Sequence, residues 1–516
     1  MKNKRLTPLY LSPIVLLALT GCFVKPVTPE TPDTPEQPDV PVVVGEEPAL
    51  ADSEEYKEFW NPTSNLSINI KMSQEAADFI NEYQSNHDDS TYFDYYVPCD
   101  FTLVMNGKTY NYEEVGIRQK GNMSRTHILM DNNFSLGSLS HYKLSFKETF
   151  DDEEYTTIGQ LNAFAKTWED NAERKTRKNR TLFDMEKIDI KWNRNNDESK
   201  SKQSFALKVF RSNGVLAGND TLATTTIGIN GKTPITTTYE IFECIDSVFV
   251  KRHFDTARAD GDLYKCTYTN RGPANLSGTI EIGNQIGVEN NVTGFHPCYD
   301  LKTNKKKNTT HTNFFNFVNI VNKNSLLASQ WKSQIEQVMD MESFIKYESI
   351  AFLLGNFDDM RNNANNYYLY FTSGDNPIAY VIPYDFDRCL GAGCEGRKDF
   401  MTDFSAESTK MQCSGEWQTI SLFWRICCTS GNSESGHQNV QRIEEYRQQY
   451  QENIEDLLNN KIMSTEAFTN YVNSFPSDYR GLANGAGEGN ISFAEYLTKK
   501  ISKIKECNPT YDIKVS

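Results

Sequence analysis

Residues 25–48 interleave proline with Thr, Glu and Asp, and a stretch of that kind cannot fold onto anything. Proline removes a backbone donor and fixes φ, and the acids offer no apolar surface to bury. Extended polyproline II, at roughly 3.1 Å per residue, is the expected state, so the segment reads as a spacer. The fold must therefore be built from the residues C-terminal to it. From about Trp60 the composition turns globular and stays so to near Cys507, without a second linker or an internal repeat. The 516-residue chain is 38% hydrophobic and 12% aromatic, enough for a sizeable core in one large unit with lobes. Its formal net charge of −16 argues against nucleic acid as a partner, since phosphate binding needs a basic surface.

Ahead of the spacer, Lys2, Lys4 and Arg5 precede an apolar run over residues 9–19 that ends on Gly21 and Cys22. The arrangement resembles a bacterial lipoprotein signal. That resemblance implies an acylated Cys22 holding the protein to a membrane outside the cytoplasm by buried methylenes. No other apolar run approaches the length of a spanning helix. The expected organisation is a signal peptide over 1–22, a Pro-rich linker over 23–60 and one domain over 61–516. Ten cysteines remain after Cys22; they either pair as disulfides or stay as buried thiols, and spacing does not assign a connectivity.

Within the domain the first half is strand-rich. Residues 66–72 alternate apolar and polar, and 100–105 and 108–112 flank Asn106-Gly107, a pair suited to a tight hairpin turn. Further strands are expected at 115–118, 141–146, 187–192 and 239–246. A short helix is expected around 76–83 and a longer one over 198–212, with Asp197 as N-cap and Gly214 just past its end. The second half mixes a buried helix over 341–354 and paired strands at 366–371 and 378–382 with later helices over 440–458, 465–472 and 492–504. The expected fold is α+β, with a strand-rich first lobe and a helix-rich second.

Four stretches carry candidate chemistry. Arg118, Lys120, Gly121, Asn122, Ser124 and Arg125 form a basic, small-residue turn of the sort that cradles phosphates. Lys143 lies on the next strand, where a lysine either meets solvent or points into a cleft. Glu243 sits inside an apolar strand, and Lys265 in Leu263-Tyr264-Lys265 is similarly placed. Finally, Gly355-Asn356-Phe357-Asp358 is followed by Asn366 and by Tyr384-Asp385-Phe386-Asp387. Two carboxylate clusters and an amide, each following an apolar element, are the inventory of phosphoryl transfer: one acid takes the hydroxyl proton while an amide and a second acid hold magnesium. Taken singly, each group also reads as a solvated turn or a cap.

In this order the stretches resemble the spore coat protein H (CotH) kinase family. The resemblance rests on Arg118 to Ser124, Lys143 to Phe146, Leu182 to Asp197, Glu243, Leu263 to Lys265, Gly355 to Asp358, Asn366 to Tyr370 and Ile382 to Asp387. It implies an atypical protein-kinase-like bilobal fold that transfers the ATP γ-phosphate to Ser-type hydroxyls of secreted or surface proteins. By that likeness Asp358 is the catalytic base, and Asn366 and Asp385 are ligands of Mg2+ (or Mn2+), assisted by Asp387. Lys143 holds phosphates, the loop with Arg118, Gly121, Asn122 and Ser124 covers them, and Glu243 lies near the nucleotide. The chain departs from the family pattern at Lys120, Met123 and Tyr384. A monomer is expected. Two other readings stand beside this one: a catalytically silent surface lipoprotein acting in adhesion or coat assembly, and a glycoside hydrolase using Asp358 and Asp385 as its carboxylate pair.

Overall fold

In the computed structural model the described residues are 47–82, 94–121, 124–125, 139–290, 293–393, 420–427 and 440–515. The signal segment with Cys22, most of the spacer, and Asn122 lie outside them. All described residues belong to one compact unit, Gln37–Ser516.

Twelve strands define the sheets: β1 (Leu66–Met72), β2 (Val97–Met105), β3 (Lys108–Gln119), β4 (Tyr142–Ser145), β5 (Lys187–Lys191), β6 (Asp220–Ile229), β7 (Ile235–Glu243), β8 (Asp262–Cys266), β9 (Ile286–Gly287), β10 (Tyr299–Leu301), β11 (Tyr367–Phe371) and β12 (Ala379–Pro383). The alternation read in β1 becomes strict burial of every second residue. At the β2–β3 hairpin, Asn106 and Gly107 both take positive φ, 47° and 86°, which a two-residue hairpin turn requires.

The strand-rich half closes on itself. The barrel order is β1-β2-β3-β4-β5-β7-β6, and the seam is a parallel pairing of β6 with β1, with Ile70 opposite Ile227. Closure removes the sheet edges. It encloses an aliphatic and aromatic core that includes Ile68, Phe101, Leu103, Ile117, Leu144, Ile190 and Ile241. A second sheet of order β12-β11-β8-β10-β9 packs among helices over a larger core. The architecture is thus α+β, with a barrel that the strand pattern did not foretell.

The expected linker ends sooner than Trp60. A helix over Glu54–Trp60, capped by Ser53 accepting from the Tyr56 N–H, buries Tyr56, Phe59 and Trp60. The helix expected over 198–212 begins at Lys202, because Asp197 takes the N–H groups of Ser199, Ser201 and Lys202 and holds the preceding turn open. Cys99, Cys244, Cys266, Cys298 and Cys389 are buried free thiols; Cys394, Cys413 and Cys428 lie outside the described residues. Among the described residues no helix is long and apolar enough to cross a membrane.

Candidate functional site

The helix Met341–Leu354 starts where the Asp340 carboxylate accepts the Ser343 N–H, and it stops at Gly355. Gly355 takes φ +61°, the left-handed cap that lets its N–H reach the Ala351 carbonyl. The chain then turns sharply. Asn356 is buried; its Oδ1 accepts the Asp358 N–H at 3.0 Å and its Nδ2 donates to the Asp385 carbonyl at 3.3 Å. One side chain therefore ties the two acidic motifs together.

Asp358 itself is gripped by three amides. Nδ2 of Asn363 and of Asn365 donate to its Oδ1 at 2.8 and 3.0 Å, and Nδ2 of Asn366 donates to its Oδ2 at 3.1 Å. Burial pushes this carboxyl above the usual Asp range, while the Asn363 and Asn365 donors and Arg388 pull the other way and the Asp385 charge adds to the rise. Asn366, with φ +54°, spends its nitrogen on Asp358, which leaves Oδ1 as the atom able to ligate a cation.

The second acidic motif comes directly after β12. Asp385 has φ +58° and forms a short ion pair with Lys191 of β5. The same ammonium lies 3.4 Å from Asp387 Oδ2 and donates to Gln203 Oε1 at 3.2 Å. Burial works to raise both acids. In Asp385 the Lys191 and Lys120 charges win and hold the carboxyl at about 2. In Asp387 burial prevails over Lys191, and with the Asp385 charge beside it the carboxyl is pushed up to about 6. Asp387 also senses Asp358, so the three acids share one electrostatic neighbourhood.

The barrel supplies the cations. Lys120 Nζ lies 2.7 Å from Asp189 Oδ2 and donates to the Tyr384 hydroxyl at 2.7 Å. Lys143 Nζ meets the other Asp189 oxygen at 2.8 Å and the Cys244 sulfur at 3.0 Å. Asp189 and Lys191 stand two apart on β5 and so project to one face. The result is a run of alternating charge, Lys143–Asp189–Lys120, continued by Tyr384 to the Asp385–Lys191 pair. Among the described residues Lys143 pairs with Asp189, whereas Lys191 touches Asp385 and Asp387 directly. Half-buried Lys265 rests 5.5 Å from the Tyr384 ring centre, and desolvation, with Lys302 and Lys120 nearby, lowers its pKa to about 8.

The turn after β3 is braced rather than open. Gly121 takes φ +81°; a side chain there would collide with the Ser124 hydroxyl, which donates to the Lys120 carbonyl. Arg118 and Arg125 both bind Asp94 Oδ1 at 2.6 Å. Glu243 is held by its own set of donors. Its carboxylate accepts the Tyr56 hydroxyl at 2.6 Å and the Asn219 N–H and Nδ2 at 3.1 Å each, which joins the Glu54–Trp60 helix to the barrel. Beside the acids a small open pocket is lined by residues that include Lys191, Trp192, Asn193, Gln203, Glu240 and Asp387; Asp358, Asp385 and Lys143 do not line it.

Sequence reading missed Asp189 and Lys191. Their signal was the alternation Lys187-Ile188-Asp189-Ile190-Lys191, which places charge on one strand face and apolar residues on the other. Polar faces normally meet solvent, whereas here Asp189 and Lys191 are buried.

Among the described residues no group of three His, Cys, Asp or Glu side chains forms a metal cage. Magnesium is held through one or two carboxylates plus substrate phosphates, and an oxygen-only pair at Asp385 and Asp387 suits it. The elevated Asp387 marks a carboxylate that Lys191 does not fully compensate, so the donor set fits a hard divalent cation. A family model described as CotH kinase protein matches residues 117–486, well over half of the chain and including every expected site residue in the domain. No curated protein matches.

Proposed function

Because the chain belongs to the CotH kinase protein family, we propose that it is an atypical protein kinase that transfers the ATP γ-phosphate to Ser-type hydroxyls of surface or secreted proteins. The observation that carries this reading is the meeting of Asp358, Asp385 and Asp387 with Lys191 and Lys120 where the barrel abuts the second sheet. We read these two parts as the lobes of a kinase-like fold, with the acids on the helical side and the lysines on the barrel side.

The roles we propose are these. Asp358, clamped by Asn363, Asn365 and Asn366, presents a fixed carboxylate whose raised pKa suits it to take the proton of an attacking hydroxyl. The hydroxyl oxygen bonds to the γ-phosphorus, the bond to the β-phosphate oxygen breaks, and ADP leaves with the electron pair. Asp385 and Asp387, with Asn366 Oδ1, are the groups to hold Mg2+ or Mn2+, which neutralises phosphate charge when bound. Lys191 and Lys120 stand ready to exchange carboxylate partners for phosphate oxygens. Lys143 acts one step back, through Asp189. Arg118, Gly121 and Ser124 shape the covering turn. We further propose a monomer anchored through lipidated Cys22 outside the cytoplasm, with no role for nucleic acid.

The test is incubation of the purified protein with labelled ATP, Mg2+ or Mn2+ and a generic acceptor. The reading requires phosphate incorporation that is lost in Asp358→Ala and Asp385→Ala. Nucleotide binding without transfer favours the catalytically silent reading, and absence of nucleotide binding overturns both.

A further inference from the structure

The two lysines beside the acids are committed to different degrees. Lys191 spends its ammonium on Asp385, Asp387 and Gln203. An ammonium has three N–H donors, so that set is full. Lys120, 7% exposed and one residue past the end of β3, makes two such contacts. One goes to Asp189 Oδ2 and the other to the Tyr384 hydroxyl, each at 2.7 Å. Among the described residues no third acceptor meets this ammonium, so one N–H is left for a substrate oxygen.

Both ends of the Lys120–Tyr384 contact are held. The Lys120 N–H donates to the His141 carbonyl at 2.9 Å, and its own carbonyl accepts the Ser124 hydroxyl at 3.1 Å. Tyr384 directly follows Pro383, the last residue of β12, which pairs in register with Tyr367 of β11. The Tyr384 ring meets Tyr368 edge to face at 5.3 Å. Two residues on, Phe386 is fully buried and packs on Phe210 at 5.0 Å. The Tyr384 hydroxyl is therefore a fixed point beside the second sheet, immediately before Asp385, to which a barrel lysine is tied.

A lysine head on its four-carbon stem can swing about a single ion-pair partner. A second acceptor removes that freedom before a substrate arrives. We propose that Tyr384 is a positioning residue: with Asp189, its hydroxyl aims the third Lys120 N–H at the phosphates of the nucleotide. The role rests on the kinase reading and names the group that orients its phosphate-binding lysine. Loss of the hydroxyl keeps the lysine's charge and the aromatic ring but frees the ammonium to turn away.

The experiment measures MgATP and adenosine affinities, by competition against a fluorescent nucleotide, on the full-length wild type, Y384F, K120Q and Y384F/K120Q. In Y384F the affinity for MgATP falls by about tenfold, while that for adenosine, which carries no phosphate, changes by less than about twofold. K120Q loses at least as much, and the double variant loses no more than K120Q, since Tyr384 acts through Lys120. Wild-type MgATP affinity in Y384F, equal losses for MgATP and adenosine, or additive losses in the double variant overturns the proposal. If K120Q does not fold, the MgATP-against-adenosine comparison on Y384F decides alone. Loss of the fold in Y384F assigns the hydroxyl to stability and overturns the positioning role. A wild type that binds MgATP but transfers no phosphate sinks the kinase reading alone, since the binding arms still decide this one; a wild type that binds no MgATP overturns both.

Discussion

Asp387 shows how much of a site's chemistry resides in one side chain's surroundings. Burial and the Asp385 charge raise its carboxyl to about 6, against the pull of Lys191. Below that pH it is protonated and closed to a cation; above it, it is a free carboxylate able to serve as the ligand we propose. Metal-dependent nucleotide affinity should therefore fall by about tenfold per pH unit below about 6, with a proton released on binding. Calorimetry in two buffers of different ionisation enthalpy checks this, and Asp387→Asn should abolish the dependence. The acids of this site were legible in the sequence because acidic side chains directly after apolar elements have few places to go but a shared rim. Asp189 and Lys191 were not, since a Lys-Asp-Lys alternation describes an exposed strand equally well. Only the barrel's pairing partners bury it. Glu243 was expected near the nucleotide; its carboxylate accepts from Tyr56 and Asn219, contacts formed across sequence separations that no local pattern encodes.

At the scale of elements, the 341–354 helix and its stop were readable to the residue, because the apolar run ends on a glycine. That glycine also sets the direction in which Asn356 and Asp358 leave the helix. Gly355→Ala forces a Cβ into left-handed backbone, at a cost of about 1–2 kcal/mol. It should lower the urea midpoint accordingly and, by tilting Asn356 and Asp358, reduce turnover more than nucleotide affinity. The helix Glu54–Trp60 was missed although its signal is present: Tyr56, Phe59 and Trp60 stand three and four apart behind a Ser53 cap. The neighbouring proline run outweighed it. β6 was missed for a different reason. Thr221, Thr224, Thr225 and Thr226 give no clean apolar alternation, yet β-branched threonine suits a strand whose faces are both largely covered.

The whole molecule depends on closure that sequence does not announce. The β1–β6 seam joins residues more than a hundred and fifty positions apart, and parallel pairing leaves no hairpin to betray it. Tyr56 fastens the early helix to this barrel through Glu243. Tyr56→Phe removes a donor from a buried carboxylate and should cost about 1–3 kcal/mol in a denaturant melt, with the KM for ATP unchanged. A changed KM would instead return Glu243 to the nucleotide site. The central claim, that the helical part's acids divide proton removal from metal-nucleotide holding, is tested most directly by measuring MgATP binding and single-turnover phosphate transfer on Asp358→Asn and Asp385→Asn side by side. The account predicts that Asp358→Asn binds MgATP like wild type yet transfers about 10²–10⁴-fold more slowly, whereas Asp385→Asn loses MgATP binding itself. Transfer at the wild-type rate by Asp358→Asn, or undiminished MgATP binding by Asp385→Asn, would contradict it.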